Sequence, residues 1–143
     1  MQKTNWSRVI LGGLLAGLVI NICECLVNGL GLADQWDASM QNLHRPPMGG
    51  GATAAFLLGG FLIGIYALWL YATLRPRMGP GPKTAAIAGI ATWILGSLFA
   101  SIGPVAMHLF PYHLMLIGIV LALVEIVAGT VIGAWLYKEP AAA

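Results

Sequence analysis

The sequence predicts an all-α polytopic membrane protein in which four transmembrane helices form an antiparallel bundle. Of its 143 residues, 59% are hydrophobic and 8% are charged, whereas soluble proteins average about 25% charged residues. Four apolar stretches are each about 23 residues long, enough for a helix to cross a hydrocarbon core of about 30 Å. These stretches use most of the chain, so residues 1–143 are predicted to form a single membrane domain.

The first predicted helix covers residues 9–31. A basic start followed by an apolar run resembles a signal peptide. This run, however, is longer than the apolar core of a signal peptide and is interrupted by Asn21, Glu24 and Asn28. We therefore expect a retained membrane helix.

The connection 33–51 is the longest in the chain and is expected on the outer side of the membrane. Trp36, Met40 and Leu43 recur at helical spacing, which predicts a short amphipathic helix over 34–43 on the membrane surface. Pro46 and its neighbouring proline end that helix. This outer loop is the best candidate surface for contact with another protein.

The remaining helices are predicted over 52–74, 84–107 and 114–136. The connection 75–83 is rich in proline and glycine, which break helices, and the connection 108–113 is equally short. Short turns make neighbouring helices antiparallel.

The positive charges predict the orientation of the chain. Six of the seven Lys and Arg residues fall on the side of the two termini and the 75–83 turn, and Arg45 is alone on the other side. By the positive-inside rule, both termini are expected in the cytoplasm.

Small residues recur at helical spacing along every span and predict close helix packing, because helices in lipid associate through small residues and interhelical hydrogen bonds. The glycines assigned to these packing faces are Gly13, Gly17, Gly60, Gly64, Gly89, Gly96, Gly118, Gly129 and Gly133.

Glu24 and Glu125 are the strongest candidate site, since ionisable residues at bilayer depth are costly and usually functional. Both are expected within about one helical turn, roughly 5 Å, of the midplane, and no span supplies a basic partner. The two carboxyls therefore lie at depths where they could meet. Intervals of three and four residues place Asn21, Glu24 and Asn28 on one face of the first helix. At least one is expected to be protonated and hydrogen-bonded to a nearby polar group, the candidates being Asn21, Asn28, Thr92, Ser97 and Thr130.

Three roles for this pair remain open at the level of sequence. The pair can carry protons in a coupled transporter, it can bind a cation or a cationic ligand, or it can be structural glue. Interhelical hydrogen bonds in membranes contribute about 0.6–2 kcal/mol each, so the structural role is sufficient by itself to account for polar residues at these positions.

Other reactive residues give weaker signals. Cys23 and Cys25 point to different faces of a helix, so no disulfide between them is expected. His44, His108 and His113 lie near outer turns at spacings that match no metal-ligand pattern. We predict no metal site, no cofactor, no catalytic residues, no enzymatic activity and no nucleic-acid binding.

Several segments carry a resemblance. The glycine-rich run that ends at Asn21, followed by Glu24 and Asn28, and the segments 33–36, 46–48 and 75–83 resemble a group of small uncharacterised bacterial four-helix membrane proteins. The resemblance covers essentially the whole chain. It implies a location in the bacterial inner membrane and no particular activity.

The sequence thus favours a non-catalytic accessory or assembly subunit of a larger membrane complex. Its expected partners are the lipid bilayer and other membrane subunits or further copies of itself. The alternative is a small proton- or cation-coupled transporter, or a ligand-binding bundle, that uses Glu24 and Glu125.

Overall fold

A computed structural model describes residues 4–138 of the chain. The helices are α1 (Trp6–Glu24), which continues into a π-helical segment (Cys25–Gly31), then α2 (Ala33–Asn42), α3 (Gly50–Met78), α4 (Pro82–Trp93), which continues through a π-helical segment (Ile94–Leu98) into α5 (Phe99–Ala106), and α6 (Tyr112–Ala134). Four continuous helical spans are long and apolar enough to cross a membrane: Trp6–Gly31, Gly50–Met78, Pro82–Ala106 and Tyr112–Ala134. No strand occurs in the described part of the chain. The all-α class and the four membrane-length helices are confirmed.

The ends of the spans are set by capping groups that lie outside the apolar runs. α1 begins at Trp6, before the predicted start, because the Asn5 side chain accepts a hydrogen bond from the backbone N–H of Arg8. α3 passes through Pro76 and ends where Gly79 adopts a φ of 81°, a conformation that glycine adopts without strain. α4 then begins with Pro82, a residue suited to the first helical turn.

α1 lies between α3 and α6 and packs closely on both. Its Gly13 and Gly17 face Gly64 of α3, where a Cβ on Gly64 would lie 2.5 Å from the Gly17 nitrogen. On the side of α6, a Cβ on Gly12 would lie 2.6 Å from the carbonyl oxygen of Gly133. Such backbone approaches are possible because glycine has no side chain in the way.

The larger buried cluster is at the end of the bundle that holds both ends of the described chain, here called the termini end. Side chains of all four spans form one cluster there, and its largest members are Val9, Leu68, Tyr71 and Tyr137. The Asn5 side chain donates to the carbonyl of Lys138 and so joins the two ends of the described chain.

The opposite end, which holds α2 and is here called the α2 end, is open. Residues 50–58 of α3 are exposed, with Phe56 67% exposed, and α5 buries none of its residues. Other described residues cover these apolar side chains only in part, so lipid is their natural contact in a membrane. The open end leaves room for a cleft beside α2.

α2 spans Ala33–Asn42, where the sequence predicts a helix over 34–43. Two contacts fix it to the turn before α6. The Trp36 ring meets the Phe110 ring edge to face at 5.5 Å, and Gln35 Oε1 lies 2.9 Å from His113 Nε2. α2 therefore packs over the turn before α6 at this end of the bundle.

Candidate functional site

The structure brings Glu24 and Glu125 together. Glu24 is the last residue of α1 and Glu125 lies in the middle of α6, and the two side chains interact directly. Close packing between the helices produces this approach. Gly129 accommodates the backbone of Ala16, and one turn further on Ile20 packs against Ile126. The approach of the two carboxyls therefore has a structural basis in small residues on both helices.

Glu125 is 2% exposed, and its Oε2 atom has no hydrogen-bond partner among the described residues. Neither carboxyl has an ion-pair partner within residues 4–138. A buried polar atom without a partner is costly, and two adjacent carboxylates repel each other. The geometry therefore suits a third component between the carboxyls, such as a proton or a cation.

Glu24 is half-buried and belongs to a chain of hydrogen bonds. The Asn28 side-chain amide donates to Glu24 Oε2 at 2.7 Å, and the Trp36 indole N–H donates to Asn28 Oδ1 at 3.0 Å. This chain runs from α2 through the π-helical segment of the first span to the carboxyl pair. It gives the pair a polar connection to the α2 end of the molecule.

Asn21 and the hydroxyl candidates have other partners. The Asn21 amide donates to the carbonyl of Leu57 at 3.0 Å, and its side chain fills the space beside Gly60, so it links α1 to α3. Thr92 and Thr130 each donate to a carbonyl of their own helix. Ser97 lies in the π-helical segment of the third span, where its carbonyl accepts from the hydroxyl of Ser101. Of the predicted neighbours, Asn28 is the one that hydrogen-bonds to a carboxyl of the pair.

Cys23 lies within electrostatic range of both glutamates. Cys25 is exposed on the surface of the first span, and both thiols are free. The two cysteines therefore form no disulfide, as their spacing predicted.

A cleft of about 680 Å³ lies beside Trp36 at the α2 end. A volume of this order is typical of small-molecule sites. Its apolar lining includes Trp36, Met40, Phe56, Phe110 and Met115, and its charged lining residues are Asp37 and Arg45. Trp36 is thus shared between the cleft and the hydrogen-bond chain that reaches Glu24.

The glycines assigned to packing faces fall into two groups. Closely approached by another helix are Gly13, Gly17, Gly60, Gly64, Gly89, Gly129 and Gly133, and Gly12, which was not assigned, joins them. An added Cβ at Gly96 or Gly118 would meet nothing within 4 Å. These two glycines therefore make no close interhelical contact within residues 4–138.

The three histidines are dispersed. His44 and His108 follow the ends of α2 and α5 in left-handed conformations, with φ of 55° and 51°. His108 Nδ1 lies 2.9 Å from the Tyr112 hydroxyl, and His113 contacts Gln35. Within the part of the chain that the structure describes, no three His, Cys, Asp or Glu side chains gather in a way that could hold a metal ion.

Sequence reasoning missed the roles of Trp36, the cleft and the two π-helical segments. The sequence predicts Trp36 on the membrane surface, and its spacing from Met40 indicates a shared helix face but not what that face covers. π-Helical turns often occur at functional sites, and here one of them carries Asn28. No residue pattern in the first span predicts this change from α-helical to π-helical turns.

Comparison with protein families, curated proteins and solved structures finds none that matches this chain.

Proposed function

We propose that this protein is a small membrane-embedded binding bundle that holds one proton or one cation between Glu24 and Glu125, and that it serves as a proton- or cation-coupled carrier. One observation carries the proposal. Within residues 4–138, the buried Oε2 of Glu125 has no hydrogen-bond partner, while the carboxyl of Glu24 lies against Glu125. A shared proton turns one carboxyl into a donor for the other, and a cation between two carboxylates offsets part or all of their negative charge. Either occupant lowers the repulsion between two negative charges.

The hydrogen-bond chain supports access to the pair. Trp36, Asn28 and Glu24 are linked in series by donors and acceptors that lead from the α2 end toward Glu125. Asn28 lies in a π-helical segment, where wider turns loosen the backbone ladder. A proton or small cation exchanged at the α2 end thus has polar groups along its way to the pair.

We place the chain in the bacterial cytoplasmic membrane as a multi-pass protein, with antiparallel spans and both termini in the cytoplasm. The basic residues around the termini and the α3–α4 turn support this orientation. The opposite order of the contacts between α1 and α6, in which Gly12 meets Gly133 and Ala16 meets Gly129, supports the antiparallel arrangement. On this orientation the cleft and α2 face the outside.

Infrared spectroscopy of the purified protein tests the shared proton, because a protonated carboxyl absorbs apart from a carboxylate. We expect wild-type protein at neutral pH to show a protonated-carboxyl band, and we expect Glu125→Gln to lose this band. Sodium should diminish the band where it competes with the proton for the carboxyl pair. Asp34→Asn is the matched control, since Asp34 is exposed on α2. A band unchanged in the Glu24→Gln, Glu125→Gln double variant refutes the site.

Transport is tested in liposomes that contain the reconstituted protein and a trapped pH indicator. A carrier requires proton flux that depends on an imposed cation or pH gradient. We expect the Glu24→Gln, Glu125→Gln double variant to abolish this flux and Asp34→Asn to leave it unchanged. Normal flux in the double variant contradicts the carrier role.

A second candidate function is an accessory or assembly subunit of a larger membrane complex. The observation that favours it is a set of span glycines without interhelical neighbours among the described residues, together with the exposed start of α3; these glycines are Gly59, Gly96, Gly103 and Gly118. Small residues on lipid-facing surfaces permit close approach of further helices.

Extraction in a mild detergent, followed by size analysis and mass spectrometry, tests the subunit role. We expect a stoichiometric membrane partner that is lost when Gly118 is replaced by leucine. The control is Ile117→Leu, which changes the neighbouring exposed side chain without adding bulk at the glycine. A species whose mass is that of this chain alone, or of copies of it, contradicts the subunit role.

A further inference from the structure

We propose that the cleft beside α2 binds a zwitterionic phospholipid, with the lipid phosphate at Arg45 and its ammonium group at Asp37. The proposal concerns a site apart from the glutamate pair, and it stands whether or not that pair binds a proton or a cation.

The apolar part of the cleft suits acyl chains. Met40, Phe56 and Phe110 line it, and Phe56 continues into the exposed first turns of α3. An acyl chain that leaves the cleft can therefore follow the uncovered side of α3 into the surrounding bilayer. A soluble ligand has no comparable use for this open apolar exit.

The charged part of the cleft carries one group of each sign. Asp37 and Arg45 both line it, and among the described residues neither side chain has an ion pair or a hydrogen bond. A guanidinium binds phosphate through two parallel hydrogen bonds, and a carboxylate binds an ammonium group. A headgroup with both charges complements both residues, whereas an anionic headgroup leaves Asp37 unpaired and repelled.

The position of Arg45 is set by the way α2 ends. His44 is left-handed, its N–H donates to the carbonyl of Gln41, and the Arg45 N–H donates to the carbonyl of Met40, each at 2.9 Å. These two bonds form a Schellman motif, which reverses the chain at a helix end. The motif holds the backbone of Arg45 beside that of Met40, so the charged and apolar parts of the site belong to one local structure.

Native mass spectrometry of the full-length protein in detergent tests the proposal by titration with phosphatidylethanolamine and with phosphatidylglycerol of the same acyl chains. We expect wild-type protein to bind phosphatidylethanolamine about three- to fivefold more tightly, the range for one partly exposed charge pair. Asp37→Asn should abolish this preference, and Arg45→Gln should weaken the binding of both lipids.

The control variants change charges outside the cleft. Asp34→Asn alters an exposed acid of α2, and Arg77→Gln alters an exposed base at the termini end. Equal binding of the two lipids by wild-type protein overturns the proposal, as does a preference that survives Asp37→Asn or is lost equally in Asp34→Asn. A change of oligomeric mass in Asp37→Asn with unchanged lipid binding also overturns it and assigns the cleft to a second copy of the chain.

Discussion

Asn28 joins two polar side chains, Glu24 and Trp36, by hydrogen bonds. Its amide donates to Glu24 and its carbonyl oxygen accepts from Trp36, so one side chain connects α2 to the carboxyl pair. A leucine has the same number and branching of side-chain heavy atoms as asparagine, but it neither donates nor accepts a hydrogen bond. Replacing Asn28 by leucine therefore removes the two hydrogen bonds while it keeps a side chain of the same branching in place.

We expect Asn28→Leu to lower the free energy of unfolding by about 1–3 kcal/mol, since two membrane hydrogen bonds are lost. Unfolding by a denaturing detergent measures the change. Asn42→Leu is the control, because Asn42 is exposed and its side chain makes no hydrogen bond in the described structure. Trp36→Phe should cost less in the Asn28→Leu background than in wild type, and equal costs contradict the coupling.

His44 occupies a left-handed position that glycine adopts at lower energy. We expect His44→Gly to raise the free energy of unfolding by about 0.5 kcal/mol. Glycine relieves the backbone strain of the folded state, and its greater chain entropy in the unfolded state offsets part of that gain. His108→Gly should gain less, because it also loses the contact with the Tyr112 hydroxyl. Thermal unfolding compares the two variants, and a lower melting temperature for His44→Gly refutes the argument.

Among the helices, glycines that look alike in sequence differ in what surrounds them. Gly64 is pressed against the backbone of α1, whereas Gly118 of α6 has nothing within 4 Å of an added Cβ. Both are mid-helix glycines within apolar spans. Their difference arises from where α1 lies, which neither local sequence states.

We expect Gly64→Ala to lower the free energy of unfolding by about 1–3 kcal/mol, because α1 and α3 must separate to admit a methyl group. Gly118→Ala adds the same methyl group to open space and should leave stability unchanged or slightly raised. Unfolding by a denaturing detergent measures both. Equal losses in the two variants contradict the assigned contacts.

The molecule as a whole is packed at the termini end and open at the α2 end. Leu68 is fully buried against Gly12 and Gly133, whereas Leu58, almost three turns away on the same helix, is 60% exposed. In a membrane the hydrophobic effect does not separate these two positions, since lipid is as apolar as a protein interior. The two leucines differ in the number of protein atoms that each side chain meets in van der Waals contact.

Leu68→Ala should therefore lower the free energy of unfolding by about 2 kcal/mol or more, because it leaves a cavity among closely packed helices. Leu58→Ala, the same substitution on the same helix, should change it little, because lipid fills the space. Unfolding of both variants in the same detergent measures the difference. A loss at Leu58 as large as that at Leu68 contradicts the packed and open ends described for the bundle.

The sequence by itself determined the all-α class, the number of membrane-length helices and two exceptional residues, Glu24 and Glu125. It did so because the hydrocarbon core imposes a minimum apolar length and a high cost on charge, and both can be read along one helix. Helical spacing also indicated that Asn28 lies on the same helix face as Glu24.

The tertiary structure decided which polar groups meet. Asn21 and Glu24 lie on one predicted face, yet Asn21 bonds to α3 and Glu24 approaches α6, because α1 packs between those two helices. The link from Asn28 to Trp36, the cleft beside α2 and the open surroundings of Gly96 and Gly118 likewise depend on distances between separate helices. Periodicity along one helix reports which residues share a face, and the packing of the other helices fixes what that face contacts.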